Sequence, residues 1–168
     1  HFLPSTPNRS HHVRSTDPQW KYLPEWQKNH PGIWQVLTSP DLILFGEWLY
    51  AKHSIHYTNL PDYFLAFDIY DKVQKKFYSR AARNKLLEEA GIHTVPLLGE
   101  GTFSKDQVMA LLETKSQFYD GFVEGCYLRI DDGDFMAKRG KVVRPDFMQQ
   151  IGDHWMKQGL IKNIVMYQ

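Results

Sequence analysis

Phe122-Val123-Glu124-Gly125-Cys126-Tyr127-Leu128-Arg129-Ile130, then Asp131-Asp132-Gly133-Asp134, then Phe135-Met136-Ala137-Lys138-Arg139-Gly140-Lys141-Val142-Val143 read as two strands joined by a tight turn. Asp-Gly between apolar runs is a strong hairpin signal, because glycine supplies the positive φ that such turns require. Working outward, Leu42 to Leu49 and Tyr63 to Tyr70 are apolar runs with β character, and they predict strands covered on both faces. His93 to Leu98 is expected to be a further short strand. Ser79 is placed to N-cap a helix through Ala90 that Gly91 stops, and Ser104 with Gln107 forms a capping box ahead of Val108, Ala110, Leu111 and Leu112. Pro145 sits where a last helix toward Trp155 would begin. Trp20, Trp26 and Trp34, near Pro24 and Pro31, suggest short helical turns whose indoles serve either core packing or base stacking. Residues 1–19, broken by Pro4, Pro7 and Pro18, hold one strand candidate, His11 to Ser15, in a hairpin or loop region. The tally is an α+β domain, mostly antiparallel sheet with flanking helices.

Composition bounds the function. At 168 residues, 42% hydrophobic and 23% charged, the chain can bury one sizeable core, so a single domain over residues 1–168 is expected. The net charge of +1 is too small to argue for nucleic acid by itself, so any basic footprint must be local. A lone cysteine, Cys126, excludes an intrachain disulfide framework and a multi-cysteine zinc site. No apolar run approaches the length of a membrane span and no signal peptide opens the chain, which points to a soluble, intracellular, cytoplasmic protein without a membrane partner. The first residue is His1 rather than methionine, and the chain is expected to be a piece of a longer one, truncated at its N-terminus.

Strand alternation assigns faces to the charges. Glu124 falls with Phe122, Cys126, Leu128 and Ile130, and Glu47 with Ile43, Phe45 and Leu49. A carboxylate among apolar neighbours must be neutralised, paired or bound to metal, since a buried unpaired charge costs about as much as the whole margin of folding. Arg139 and Lys141 share a face with Ala137 and Val143, while Lys138 points the other way. Two adjacent cations fit a phosphate between them, or else a solvated basic edge. Phe67 falls with Tyr63, Leu65 and Ile69, as core packing would require, although Asp68 beside it suggests the edge of a site. His11, His12, His53 and His56 have no metal-site spacing.

In order, Gly46-Glu47-Trp48-Leu49-Tyr50-Ala51-Lys52-His53-Ser54-Ile55, followed by Tyr57, Leu60-Pro61 and Tyr63-Phe64, resembles the third motif of the ATP-dependent RNA ligase family. Phe67-Asp68-Ile69-Tyr70 resembles its adenine-stacking segment, and Val95-Pro96 is also in keeping. Glu124-Gly125 resembles the fourth motif. Lys141-Val142-Val143-Arg144, with Arg139 just before it, resembles the fifth. Arg14, in His12-Val13-Arg14-Ser15, is similar to the arginine that follows the nucleophile strand. The resemblance runs from about residue 11 to residue 157.

This resemblance implies a covalent lysyl-nucleotidyltransferase fold, an ATP-grasp-like ligase adenylation domain, joining 5′-phosphate and 3′-hydroxyl RNA ends through lysyl-AMP and RNA-adenylate. It implies ATP and Mg2+ or Mn2+ as cofactors, RNA ends as partners, and a role in RNA repair. Glu47 would contact the ribose and Phe67 would stack on adenine. Glu124 would bind or orient the metal, and Lys141, helped by Arg139, would neutralise the α-phosphate. Arg14 would meet the phosphate of AMP or of the RNA end. The family's Lys-x-Asp-Gly nucleophile string does not occur in the sequence. Its place would fall just before His1, so the chain as given is expected not to self-adenylylate although its parent would. A non-catalytic nucleotide- or RNA-end-binding homologue, and a DNA ligase or capping-type nucleotidyltransferase, are the alternatives.

Overall fold

The computed structural model describes residues 17–145 and 160–166 and, for their backbone, residues 7–8 and 11–12. Strands β1 (Pro7–Asn8) and β2 (His11–His12) form a short antiparallel pair, and a 3-10 turn at Pro18–Trp20 leads into α1 (Leu23–Asn29) and α2 (Ile33–Leu37). Then come β3 (Leu42–Trp48), β4 (Phe64–Asp71), β5 (Lys76–Phe77), α3 (Arg80–Glu89), α4 (Lys105–Leu111), β6 (Gly125–Asp132) and β7 (Phe135–Val143). Every pairing of named strands is antiparallel, in the orders β1-β2, β3-β4-β5 and β6-β7. The α+β expectation therefore holds. No helix among the described residues is long and apolar enough to cross a membrane.

The core lies on one face of the β3-β4-β5 sheet, where α1, α2 and α3 bring Trp26, Ile33, Val36, Leu87 and Ala90 onto Ala66 and Ile69 of β4. Leu42, Leu44, Trp48 and Phe64 pack against that cluster from the same face. Helix α3 begins as predicted, with the Ser79 hydroxyl accepting from the Ala82 amide at 3.3 Å. The capping box of α4 is complete: Gln107 N donates to Ser104 Oγ at 3.2 Å and Ser104 N to Gln107 Oε1 at 2.8 Å. The hairpin turn falls where the Asp-Gly signal put it, with Gly133 at φ 56°.

Several expectations are corrected. Strand β3 is not covered on both faces: it alternates, leaving Ile43 39% and Phe45 37% exposed on the side away from the core. The segment His93 to Leu98 forms no strand, only an isolated parallel bridge of Thr94 to Ala66, in which Ala66 N donates to His93 O and Ala66 O accepts from Val95 N. The helix predicted from Pro145 toward Trp155, the strand beyond His12 and Arg14 lie outside the described residues. One contact had no sequence signal. Residues 160–166 lie against residues 49–60, where Asn163 donates through Nδ2 to Leu49 O at 2.8 Å and accepts from Tyr57 N at 2.9 Å.

Candidate functional site

Two β-bulges decide what faces what. Opposite β3, Phe45 pairs with Asp68 and Gly46 with Ala66, so Phe67 is the extra residue of β4. A bulge bends the strand and re-aims a side chain. Phe67 accordingly leaves the Ile69 face assigned by alternation and turns to the open side of the sheet, its ring 6.5 Å from Phe45 and 6.1 Å from Tyr127. The core-packing reading of Phe67 is thereby corrected. In the hairpin, Ile130 pairs with Lys138 and Asp131 with Met136, leaving Ala137 as the extra residue. Met136 rather than Ala137 is therefore in register with the face of Arg139.

Across β6 and β7, Tyr127 lies opposite Lys141 and Arg129 opposite Arg139, so these four side chains share one face, while Lys138 lies opposite Ile130 on the other. That first face is turned toward the open side of β3 and β4. Tyr127 Oη donates to Asp68 Oδ2 at 2.7 Å, and Arg129 forms an ion pair with the same carboxylate. The Arg139 guanidinium lies 4.0 Å from Asp68 and sits over the Phe77 ring, 4.4 Å from its centroid. Asp68 is only 1% exposed, and the cations that lie against it are brought from a different sheet. Desolvation, reinforced by the hydrogen bond to Asp68, pushes the Tyr127 hydroxyl above its ordinary range.

Glu124 does not lie on the strand on which alternation placed it. The strand begins at Gly125, one residue after it. Gly125 lies so close to β7 that a Cβ there would come 2.5 Å from Val142 O, which only glycine tolerates. Alternation does not carry through this point. The Glu124 carboxyl answers electrostatically to Glu47 of β3 and Lys141 of β7: burial pushes it up to about 7, Glu47 adds to the rise, and the Lys141 ammonium lowers it. Charges from three separate segments thus act on one carboxyl.

The structure brings Glu47, Phe67, Glu124, Arg139 and Lys141 to the two facing surfaces. Phe45 and Phe77 join them as apolar floor, their rings 5.7 Å apart. Sequence reasoning missed Tyr127, Arg129 and Phe77. Their only signal was the burial demanded of an aspartate in Ala66-Phe67-Asp68-Ile69, which calls for a cation without naming one. Chemically, the surfaces offer an aromatic wall, carboxylate oxygens and cations. Hard oxygen donors such as Glu124 and Glu47 suit Mg2+ or Mn2+. Among the described residues no three His, Cys, Asp or Glu side chains form a metal-holding group, so a cation here would draw further oxygens from phosphate and water. The RNA ligase family model matches residues 6–143, and the chain belongs to that family. No curated protein and no solved structure matches it.

Proposed function

Proceeding from membership in the RNA ligase family, we propose that this site performs ATP-dependent joining of a 5′-phosphate RNA end to a 3′-hydroxyl end. One observation carries the reading: Phe67 at the bulge of β4 lies 6.1 Å from Tyr127 of the hairpin while Arg139 stands 4.0 Å from Asp68, so an aromatic wall and cations from distant segments face one another as a nucleotide requires. In this reading Phe67, with Phe45 beside it, stacks on adenine, and Glu47 accepts a hydrogen bond from the ribose. Glu124 holds Mg2+ or Mn2+, which supplies charge neutralisation at the phosphate oxygens. Lys141 and Arg139 bind the α-phosphate and stabilise the charge that develops as the phosphoryl bond changes hands. Arg14 meets the phosphate of AMP or of the RNA end.

A lysine amine attacks the α-phosphorus, forming a P–N bond and expelling pyrophosphate while its proton passes to solvent. The 5′-phosphate oxygen of RNA then displaces the lysine, and a 3′-hydroxyl displaces AMP to form the phosphodiester. Lys-x-Asp-Gly is absent from these 168 residues, and we assign the accepting lysine to a part of the protein outside them.

Sealing of a pre-adenylylated 5′ end needs the pocket but not that lysine, and it is the direct test. In the full-length protein, Glu124→Ala and Lys141→Ala should each lower RNA sealing by about 100-fold or more, with folding retained by circular dichroism, whereas Lys138→Ala, on the opposite face, should stay within about twofold of the parent. Equal effects at Lys138 and Lys141 refute the site. Sealing of DNA ends with none of RNA refutes the substrate, and binding without any sealing favours a non-catalytic end-binding protein.

A further inference from the structure

We infer that Arg83, on the side of β4 away from the hairpin, is a positioning residue that sets the angle of the Phe67 ring by holding its carbonyl at the bulge. The inference rests on the nucleotide-binding reading above. At the bulge Phe67 has no partner opposite it in β3. Its carbonyl instead accepts from two guanidiniums, Arg83 Nη1 and, at 3.2 Å, Arg129 Nη1. A carbonyl has two lone pairs, and both are taken here. Arg129 approaches from the hairpin and Arg83 from helix α3, so the Phe67 peptide is clamped from two elements.

Arg83 is an expensive way to fill that space. It is 3% exposed, and its other partner is a neutral amide: Nε and Nη2 donate to Asn84 Oδ1 at 2.9 and 2.7 Å. Burial and the neighbouring Arg129 lower its pKa to about 10, Asp68 offsetting only part of this. Arg83 and the largely enclosed Arg129 both act on the buried carboxylate Asp68, with Asp131 at the rim. A packed apolar side chain of similar size is often neutral or better for stability at such a place. What the guanidinium adds is a fixed donor at one carbonyl. Planar and forked, it transmits the orientation set by Asn84 to the Phe67 peptide. Releasing it lets the bulge relax, and the ring turns away from the base while Lys141 and Arg139, on β7, keep their places.

The test separates base from phosphate. Calorimetric binding of ATP and of tripolyphosphate is measured in the full-length protein and in Arg83→Met. The variant should bind ATP about tenfold more weakly, within the range that one stacked base contributes, and tripolyphosphate within twofold of the parent, with an unchanged or higher melting temperature. Added to Phe67→Ala, it should cause no further loss, since the two act through one ring. Equal weakening of ATP and tripolyphosphate, full additivity with Phe67→Ala, or no change overturns the inference. Should Arg83→Met fail to fold, Asn84→Ala, which frees the other edge of the guanidinium, should give about a threefold loss selective for ATP, and no selective loss again overturns it. A parent protein that binds tripolyphosphate but not ATP, or neither, defeats the nucleotide reading itself.

Discussion

The two sheets of the site are held by different physics. The β3-β4-β5 sheet is fixed by apolar burial, with Leu87, Ile69 and Val36 fully enclosed between it and the helices. The β6-β7 hairpin has two strands and an outer face that leaves Ile130 60% exposed, and a two-stranded ribbon is marginal by itself in water. Polar latches join the ring contacts of Tyr127 with Phe67 and of Phe135 with Tyr78 in holding it. Arg129 and Tyr127 engage Asp68, Asp131 Oδ2 accepts from Arg80 N at 2.6 Å, and Ser79 N donates to Asp134 O at 2.7 Å. The last two fasten the hairpin to the start of α3. Apolar packing is undirected and suits a platform, whereas a charged hydrogen bond has a fixed length and direction and so suits a part that must present Lys141 and Arg139 at a set place.

The sharpest way to break this contrast is to remove one side of a latch. Asp68→Ala leaves Arg129 buried without its carboxylate and should cost about 3–5 kcal/mol, comparable to the roughly 2–5 kcal/mol of Leu87→Ala in the core. The double replacement Asp68→Leu with Arg129→Met removes both members of the pair and should recover part of the latch loss in thermal unfolding, since Arg83 is left without the carboxylate. No recovery would mean that the pair contributes more than its mutual compensation.

A smaller effect follows from Glu124. Its carboxyl titrates at about 7 in the fold against 4.5 ordinarily, so the folded state holds a proton that the unfolded chain has already released. Stability from this group is full below about pH 4.5 and is lost as pH rises to about 7, a change of about 2–3 kcal/mol that Glu124→Gln should flatten. The proposed metal binding would run the opposite way, because the cation requires the carboxylate. Mn2+ affinity measured by calorimetry should rise about tenfold from pH 6 to pH 8, and a pH-independent affinity would remove Glu124 from the metal. The mildest change lies far from either sheet. Ser104→Ala opens the capping box of α4 and should cost about 1 kcal/mol in denaturant unfolding with sealing unaffected.

Much of this was legible in the amino-acid order. The Ser79 and Ser104 caps, the Gly133 turn, the antiparallel hairpin and the order of Glu47, Phe67, Glu124 and Lys141 are local features, decided by residues within one turn or one strand of each other. Alternation failed where strands gained a residue. Phe67 and Ala137 are unpaired because the curvature needed to lay one sheet over the other concentrates at those points, and nothing within four or five residues announces it. The Glu124 face failed for a related reason, since the chain bends at Gly125 where β7 approaches.

By itself, then, the sequence determined most of the elements, their antiparallel sense, the family and the chemical types available for a site. Tertiary structure decided that β3 keeps an open face, that Asp68 meets Arg129 about sixty positions away, that Asn163 closes onto Leu49 across more than a hundred, and that Phe67 looks into the site. These are pairings between distant segments. Their partners are chosen by which buried charges and carbonyls remain unsatisfied once the core has packed, and that condition exists only in the folded molecule.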